Sequence, residues 1–113
     1  MNFISKIGND PYGEMALKMY KESNVDISNV IISKDYKTGA AGILVNKQTG
    51  ENAITVVPGA AGKITKEDID QASDTIKQSS IFLTQLEAPI EVVEYAIETV
   101  SYTHLTLPTI LLV

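Results

Sequence analysis

The sequence has no cysteine, no tryptophan, a single histidine and no apolar run of 18 residues. Each absence removes a class of function. Without cysteine there is neither a disulfide framework nor a thiolate metal site, and one histidine does not complete a zinc site of the usual kind. Without a long apolar stretch no membrane-spanning helix is expected, and the opening MNFISKIGNDPYGE lacks the apolar core of a secretory signal. The expected compartment is therefore the cytoplasm, with no membrane partner. Basic residues are also scarce, 9 against 14 acidic, for a formal net charge of -5 and a pI near 4.7. Neutralising phosphates needs clustered cations, and here they are scattered, so no nucleic-acid partner is expected.

What is present is an ordinary globular composition, 44% hydrophobic and 20% charged over 113 residues, enough for one domain with a modest core. Residues 3–7, FISKI, predict a short strand. Asp10 then reads as a helix N-cap with Pro11 in the first helical position, and the helix is expected to reach about Ser23. Met15 and Met19, with Ala16 and Tyr20, form an apolar stripe expected to pack in the core. After the linker NVDIS, the run NVIIS predicts a second strand, followed by a turn at Lys34-Asp35.

The segments TGAAGILVN and ENAITVVPG, separated by KQTG, predict a β-hairpin over about residues 38–57. Its first strand carries Gly39, Ala40, Ala41 and Gly42 where a core strand would carry bulk. Glycine within a strand marks either a close approach by backbone or ligand, or a bend without function. Thr65 with an acid three residues on predicts a capped helix to about Lys77. IFLTQ, residues 81–85, reads as a strand of the parallel-sheet type, and Pro89 opens a helix with Ile90, Val93, Ile97 and Val100 on its apolar stripe. The alternation of strands and helices predicts an α/β fold with an inserted hairpin.

Two segments invite chemistry and do not support it. PGAAGKIT, residues 58–65, sits between a strand and a helix, but a phosphate-binding loop needs glycine where Val57 stands and a hydroxyl where Ile64 stands. Residues 101–113, SYTHLTLPTILLV, contain no Asp, Glu or Lys, whereas every charged residue lies before position 100. That shift, and a resemblance to translated sequencing-adapter sequence, predict a foreign tail in which His104 is neither base nor ligand. The competing reading makes TILLV a further strand.

Glu87, at the end of IFLTQLE, is the residue with a claim to function. A strand entering a sheet has no packing use for a charge at its carboxyl end, which is where ligands bind in open α/β sheets. A carboxylate just ahead of a helix N-terminus is also stabilised by the macrodipole, by about 0.3–1 kcal/mol. Both readings stand on the local pattern.

Taken in order, FISKIGNDPYGE, NVDISNVIISKDYKTGAAGILVNKQTGENAITVVPGA, ITKEDID and QLEAPIEVV resemble the ribokinase/phosphofructokinase-B-type carbohydrate kinases over about residues 3–100, the ribokinase branch most of all. The resemblance implies a ribokinase-like, Rossmann-type sheet with helices, in which the hairpin belongs to a β lid closing over a sugar. It implies ATP-dependent phosphoryl transfer to the primary hydroxyl of ribose, with ATP and Mg²⁺ as cofactors, a monovalent cation left open, and a homodimer clasped through its lids. By position, Glu87 corresponds to the carboxylate that hydrogen-bonds sugar hydroxyls, and Ala41, Ile43 and Val56 to lid positions facing the sugar.

The resemblance assigns no catalytic residue and no metal ligand within this chain. The family's Asp base belongs to a Gly-Ala-Gly-Asp loop that is not in the sequence. Its Asn-x-Asp and Gly-Gly-Lys-Gly-x-Asn stretches are expected before residue 1, and Ala61 stands where relatives commonly carry Asn. The expectation is an internal piece of an enzyme, inactive alone, with residues 1–100 a partial kinase domain. The alternative is a non-catalytic α/β binding or dimerisation module that uses the hairpin as its edge.

Overall fold

The computed structural model describes residues 1–101. Strand β1, Ser5–Gly8, runs into Asn9-Asp10, and helix α1, Pro11–Glu22, starts where expected because the Asp10 carboxylate accepts a hydrogen bond from the Gly13 amide at 2.9 Å. Asn24, in the left-handed region at φ 56°, turns the chain back after α1. Strand β2, Val30–Ser33, pairs parallel to β1 with Ser5 opposite Val30 and Ile7 opposite Ile32. A parallel pair needs a crossover, and α1 supplies it.

The methionine stripe faces the wrong way. Met15 and Met19 are exposed, and the side of α1 turned inward carries Gly13, Ala16, Leu17 and Tyr20, with the Tyr20 ring edge-on to Phe3 at 5.0 Å. The rotation is set by the start of the helix. A Cβ on Gly13 would run into the Gly8 carbonyl oxygen, so this face alone comes close enough to β1 to be covered.

Strands β3, Ala40–Val45, and β4, Asn52–Val57, form the expected antiparallel hairpin. Its turn is held by the Asn46 side chain, which accepts from the Gln48 amide, and by Gly50 at φ 77°. Every residue from Ala40 to Pro58 is exposed. A 3₁₀ turn, Gly59–Lys63, follows and buries Ala60.

The expected single helix over 66–77 is two, α2, Lys66–Gln71, and α3, Ser73–Gln78, broken at Ala72. Nothing local marks the break, which leaves Ile69, Ala72 and Ile76 all buried. Thr65 caps α2 with the reciprocal Asp68 bond of a capping box. Helix α4, Ile90–Ser101, follows Pro89, whose carbonyl accepts from the amides of Val92 and Val93. Its buried positions are Val92, Val93 and Ala96. Of the expected stripe Val93 is buried and Val100 packs against the core, while Ile90 and Ile97 are exposed. The core sits between these helices, where Ile64, Ile69, Ile76, Val92 and Ala96 pack together.

Residues 81–85 form no strand. Ile81 and Leu83 are 83 and 88% exposed, while Phe82 alone leans on the core. An apolar run of this kind becomes a strand only where a ladder partner takes its backbone bonds, and among the described residues the sheets are two-stranded, β1 with β2 and β3 with β4. Among the described residues no helix is long and apolar enough to cross a membrane. The expected foreign tail, with His104 and TILLV, lies outside the described residues except for Ser101, the last residue of α4.

Candidate functional site

The carboxyl end of β1 and the start of α1 meet the root of the hairpin, and the Asp10 carboxylate lies at that junction. Asp10 caps α1 through Oδ1 and also accepts from Thr38, 28 residues along the chain: the Thr38 amide donates to Oδ2 at 2.8 Å and its hydroxyl to Oδ1 at 2.8 Å. The same hydroxyl accepts from the Gly8 amide at 3.0 Å. The Thr38 amide above all, then the Gly13 amide and the Thr38 hydroxyl, hold the Asp10 carboxyl down to about 2 from its ordinary 3.8. A depressed carboxylate of this kind contributes stability that is complete above its unfolded range and is lost as pH falls towards the folded value.

On the other strand, the Ala60 amide donates to the Lys37 carbonyl at 2.7 Å. Gly59, at φ 56°, lies against Gly39: a Cβ on it would fall 2.5 Å from the Lys37 oxygen and 2.6 Å from the Gly39 nitrogen. Gly39 is equally closed, by the Pro58 carbonyl. Gly42 has open space around it, so its missing side chain serves no contact within the chain. The two ends of the hairpin are thus pinned by backbone packing, and the arm beyond them is free of the core.

The strand register groups the positions expected to face a ligand. Ala41 pairs with Val56 and Ile43 with Ile54, and directly opposed residues project to one face, so Ala41, Ile43 and Val56 share it. Ile43 and Val56 are 61 and 64% exposed there. Glu87 lies in the bend just ahead of α4, exposed, and makes no hydrogen bond or ion pair with any described residue. Its oxygens are therefore available to a ligand, and no hydrogen bond links it to the hairpin.

Sequence reading missed the long-range polar contacts, two of which tie β1 and the start of α1 to the rest of the chain. Thr38 read as a strand residue and Asp10 as a cap, with no local signal joining them. Lys6 of β1 likewise reaches Asp68 of α2 at 2.8 Å, both largely buried, and also donates to the Lys63 carbonyl. Burial pushes the Asp68 carboxyl up, but the bonds from Lys6 and Thr65 outweigh it and the net displacement is downward.

The 58–63 loop does not fit a phosphate group. The glycines of the 58–63 loop are filled by the chain itself, Gly59 by Lys37 and Gly39 and Gly62 by the Pro58 ring, so no cradle opens towards a phosphate. No three carboxylate, imidazole or thiolate groups converge among the described residues.

Comparison with known proteins bears on residues 1–100, which match the family described as pfkB family carbohydrate kinase. The chain is 38% identical over 96 residues to a ribokinase of Staphylococcus aureus (strain COL), covering 85% of this chain and 31% of that one. The crystal structure of a ribokinase from Thermotoga maritima matches with a TM-score of 0.71 at 36% identity, over 81% of this chain and 29% of that one. A ribokinase structure from Giardia lamblia matches with a TM-score of 0.77 over 90% of this chain and 30% of that one; at 22% identity it speaks for the fold alone. The chain spans about three-tenths of the length of the Dictyostelium discoideum and Staphylococcus aureus ribokinases it matches.

Proposed function

Because the chain belongs to the pfkB family of carbohydrate kinases, we propose that it is part of a longer enzyme of the ribokinase type that transfers the γ-phosphoryl group of ATP to the primary hydroxyl of ribose. In that reaction the sugar oxygen attacks the γ-phosphorus, the bond to the ADP oxygen breaks, and the hydroxyl proton passes to a base that these residues do not supply. When bound, ATP would supply the activated phosphoryl group and Mg²⁺ would offset its charge. The observation that carries the reading is the 38% identity to the Staphylococcus aureus ribokinase, spread over 85% of this chain.

The part played by this chain is to hold the sugar. Glu87, unengaged by any described residue, accepts hydrogen bonds from two sugar hydroxyls, and charge-assisted bonds of this kind are the strong ones. Ala41, Ile43 and Val56 cover the sugar with an apolar face and keep water from the phosphoryl group. Residues 1–100 form this part of the kinase domain and residues 101–113 take no part in it.

An assay of ADP release by the full-length enzyme tests the reading. Ribose is expected to drive turnover, and the 113-residue chain alone is expected to give none, since it holds no Gly-Ala-Gly-Asp segment. A full-length protein that turns over with no pentose or hexose removes the proposal.

The hairpin serves a second purpose in this reading, as the clasp of a homodimer. A two-stranded pair is marginal on its own, and among the described residues no other strand pairs with either edge of this one, whose residues are all exposed. Sedimentation of the full-length enzyme is expected to give a dimer. A strict monomer at tens of micromolar removes the clasp.

A further inference from the structure

We propose that Asp10 and Thr38 are positioning residues that set the angle of the 40–57 hairpin over the carboxyl end of β1, and so the place of Ala41, Ile43 and Val56 relative to a bound sugar. The inference rests on the sugar-kinase reading for its consequence, but its geometry stands apart from it.

A helix cap needs one acceptor for the Gly13 amide, and Asp10 provides it with Oδ1. The carboxylate then takes two further hydrogen bonds that no cap requires, both from Thr38 at the entrance to the hairpin. Thr38 is saturated in turn. Its hydroxyl donates to Asp10 and accepts from the Gly8 amide, so one side chain joins the end of β1, the start of α1 and the root of β3. The packing leaves no slack around this junction. A Cβ on Gly8 would lie 2.5 Å from both Asp10 Oδ2 and the Thr38 nitrogen.

Beyond its two roots the hairpin packs on no buried cluster of the described residues. All residues from Ala40 to Pro58 are exposed, and the buried clusters contain none of them. Its angle is decided at its two roots, where the Lys37 carbonyl and Gly39 hold the returning strand and the Asp10 carboxylate holds the outgoing one. Charge-assisted bonds in a two-point arrangement give direction as well as strength, which is what an arm reaching over a ligand needs.

The experiment separates positioning from capping by the choice of substitution. Asn caps a helix as well as Asp. Asp10→Asn therefore keeps the Gly13 bond, but it turns an amide group towards a donor of Thr38. Thr38→Val removes the hydroxyl at equal size, and Thr38→Ser keeps it. In the full-length enzyme, spin labels at Lys18→Cys on α1 and Lys47→Cys at the hairpin tip report the angle as a distance distribution, alongside KM and kcat for the sugar.

The parent and Thr38→Ser are expected to give one narrow distribution. Asp10→Asn and Thr38→Val are expected to broaden it and to raise the sugar KM about five- to tenfold with a smaller change in kcat, the loss of one or two hydrogen bonds' worth of order. Narrow distributions with unchanged KM in both variants overturn the inference and leave Asp10 a cap. Should Thr38→Val fail to fold, the comparison of Asp10→Asn with Thr38→Ser decides. Broadening in a protein that phosphorylates no sugar keeps the junction and removes the kinase reading, while sugar turnover with no broadening does the reverse.

Discussion

On the proposed sugar-kinase reading, Glu87→Gln in the full-length protein is expected to raise the sugar KM and lower kcat/KM by roughly ten- to thirtyfold, from about 1 kcal/mol lost at each of two hydroxyl bonds. Gln keeps the length and one carbonyl acceptor, so the change isolates charge. The carboxylate lies exposed ahead of α4 with no partner among the described residues, so nothing inside the chain is broken by the substitution. A charge that serves only the helix end predicts a different pattern, about 0.3–1 kcal/mol of stability and no change in sugar affinity. Melting temperature and KM measured on the same variant separate the two. A lower melting point with an unchanged KM returns Glu87 to the helix dipole.

Lys6→Met is expected to lower the melting temperature of the purified chain by roughly 12 °C or more. Met keeps the apolar stem and the volume, while Asp68 loses its cation and retains only the Thr65 amide, at 2.8 Å. Removing one partner of a buried pair costs about 3–5 kcal/mol, and the low end applies because both side chains keep some exposure, 16% for Lys6 and 10% for Asp68. A domain of this size loses about 4–8 °C for each kcal/mol. The pH dependence follows from the same group. Asp68 is held below the ordinary carboxylate range, so its contribution is complete above that range and is lost as pH falls through the folded value. Without Lys6 burial is less opposed, the carboxyl titrates higher, and the acid-side loss begins at higher pH. A drop of less than about 3 °C places the pair with solvent-screened surface bridges instead.

Elements whose signal lies within three or four residues were legible in the sequence. Asp10 and Thr65 cap the helices they were expected to cap, Pro89 stands at the head of α4, and the Thr38–Val57 region folds into the expected hairpin. What was not legible depends on contacts far along the chain. The composition of α1 allows several apolar stripes, and the Gly13 approach to Gly8 selects the one that leaves Met15 and Met19 outside. Residues 81–85 have the composition of a strand, but strand formation is a property of a partner as well as of a segment. The break at Ala72 has no glycine or proline to announce it. Asp10–Thr38 and Lys6–Asp68 join residues 28 and 62 positions apart. The sugar-binding role given to Glu87 and the hairpin positions rests on resemblance, because a sugar ligand and a helix-end charge look alike in a local pattern.

The exposed hairpin also has a bearing on how such a protein can change. Substitutions at positions that touch no core usually alter stability by no more than about 0.5 kcal/mol in either direction. Ile43, Ile54 and Val56 are such positions, exposed on one face of the hairpin and outside the buried core. Variation there is felt by whatever rests on that face and hardly at all by the helical core. Mutational drift can therefore sample new ligands or new partners on this arm while the rest of the fold is held constant, and a library confined to it should yield mostly folded proteins.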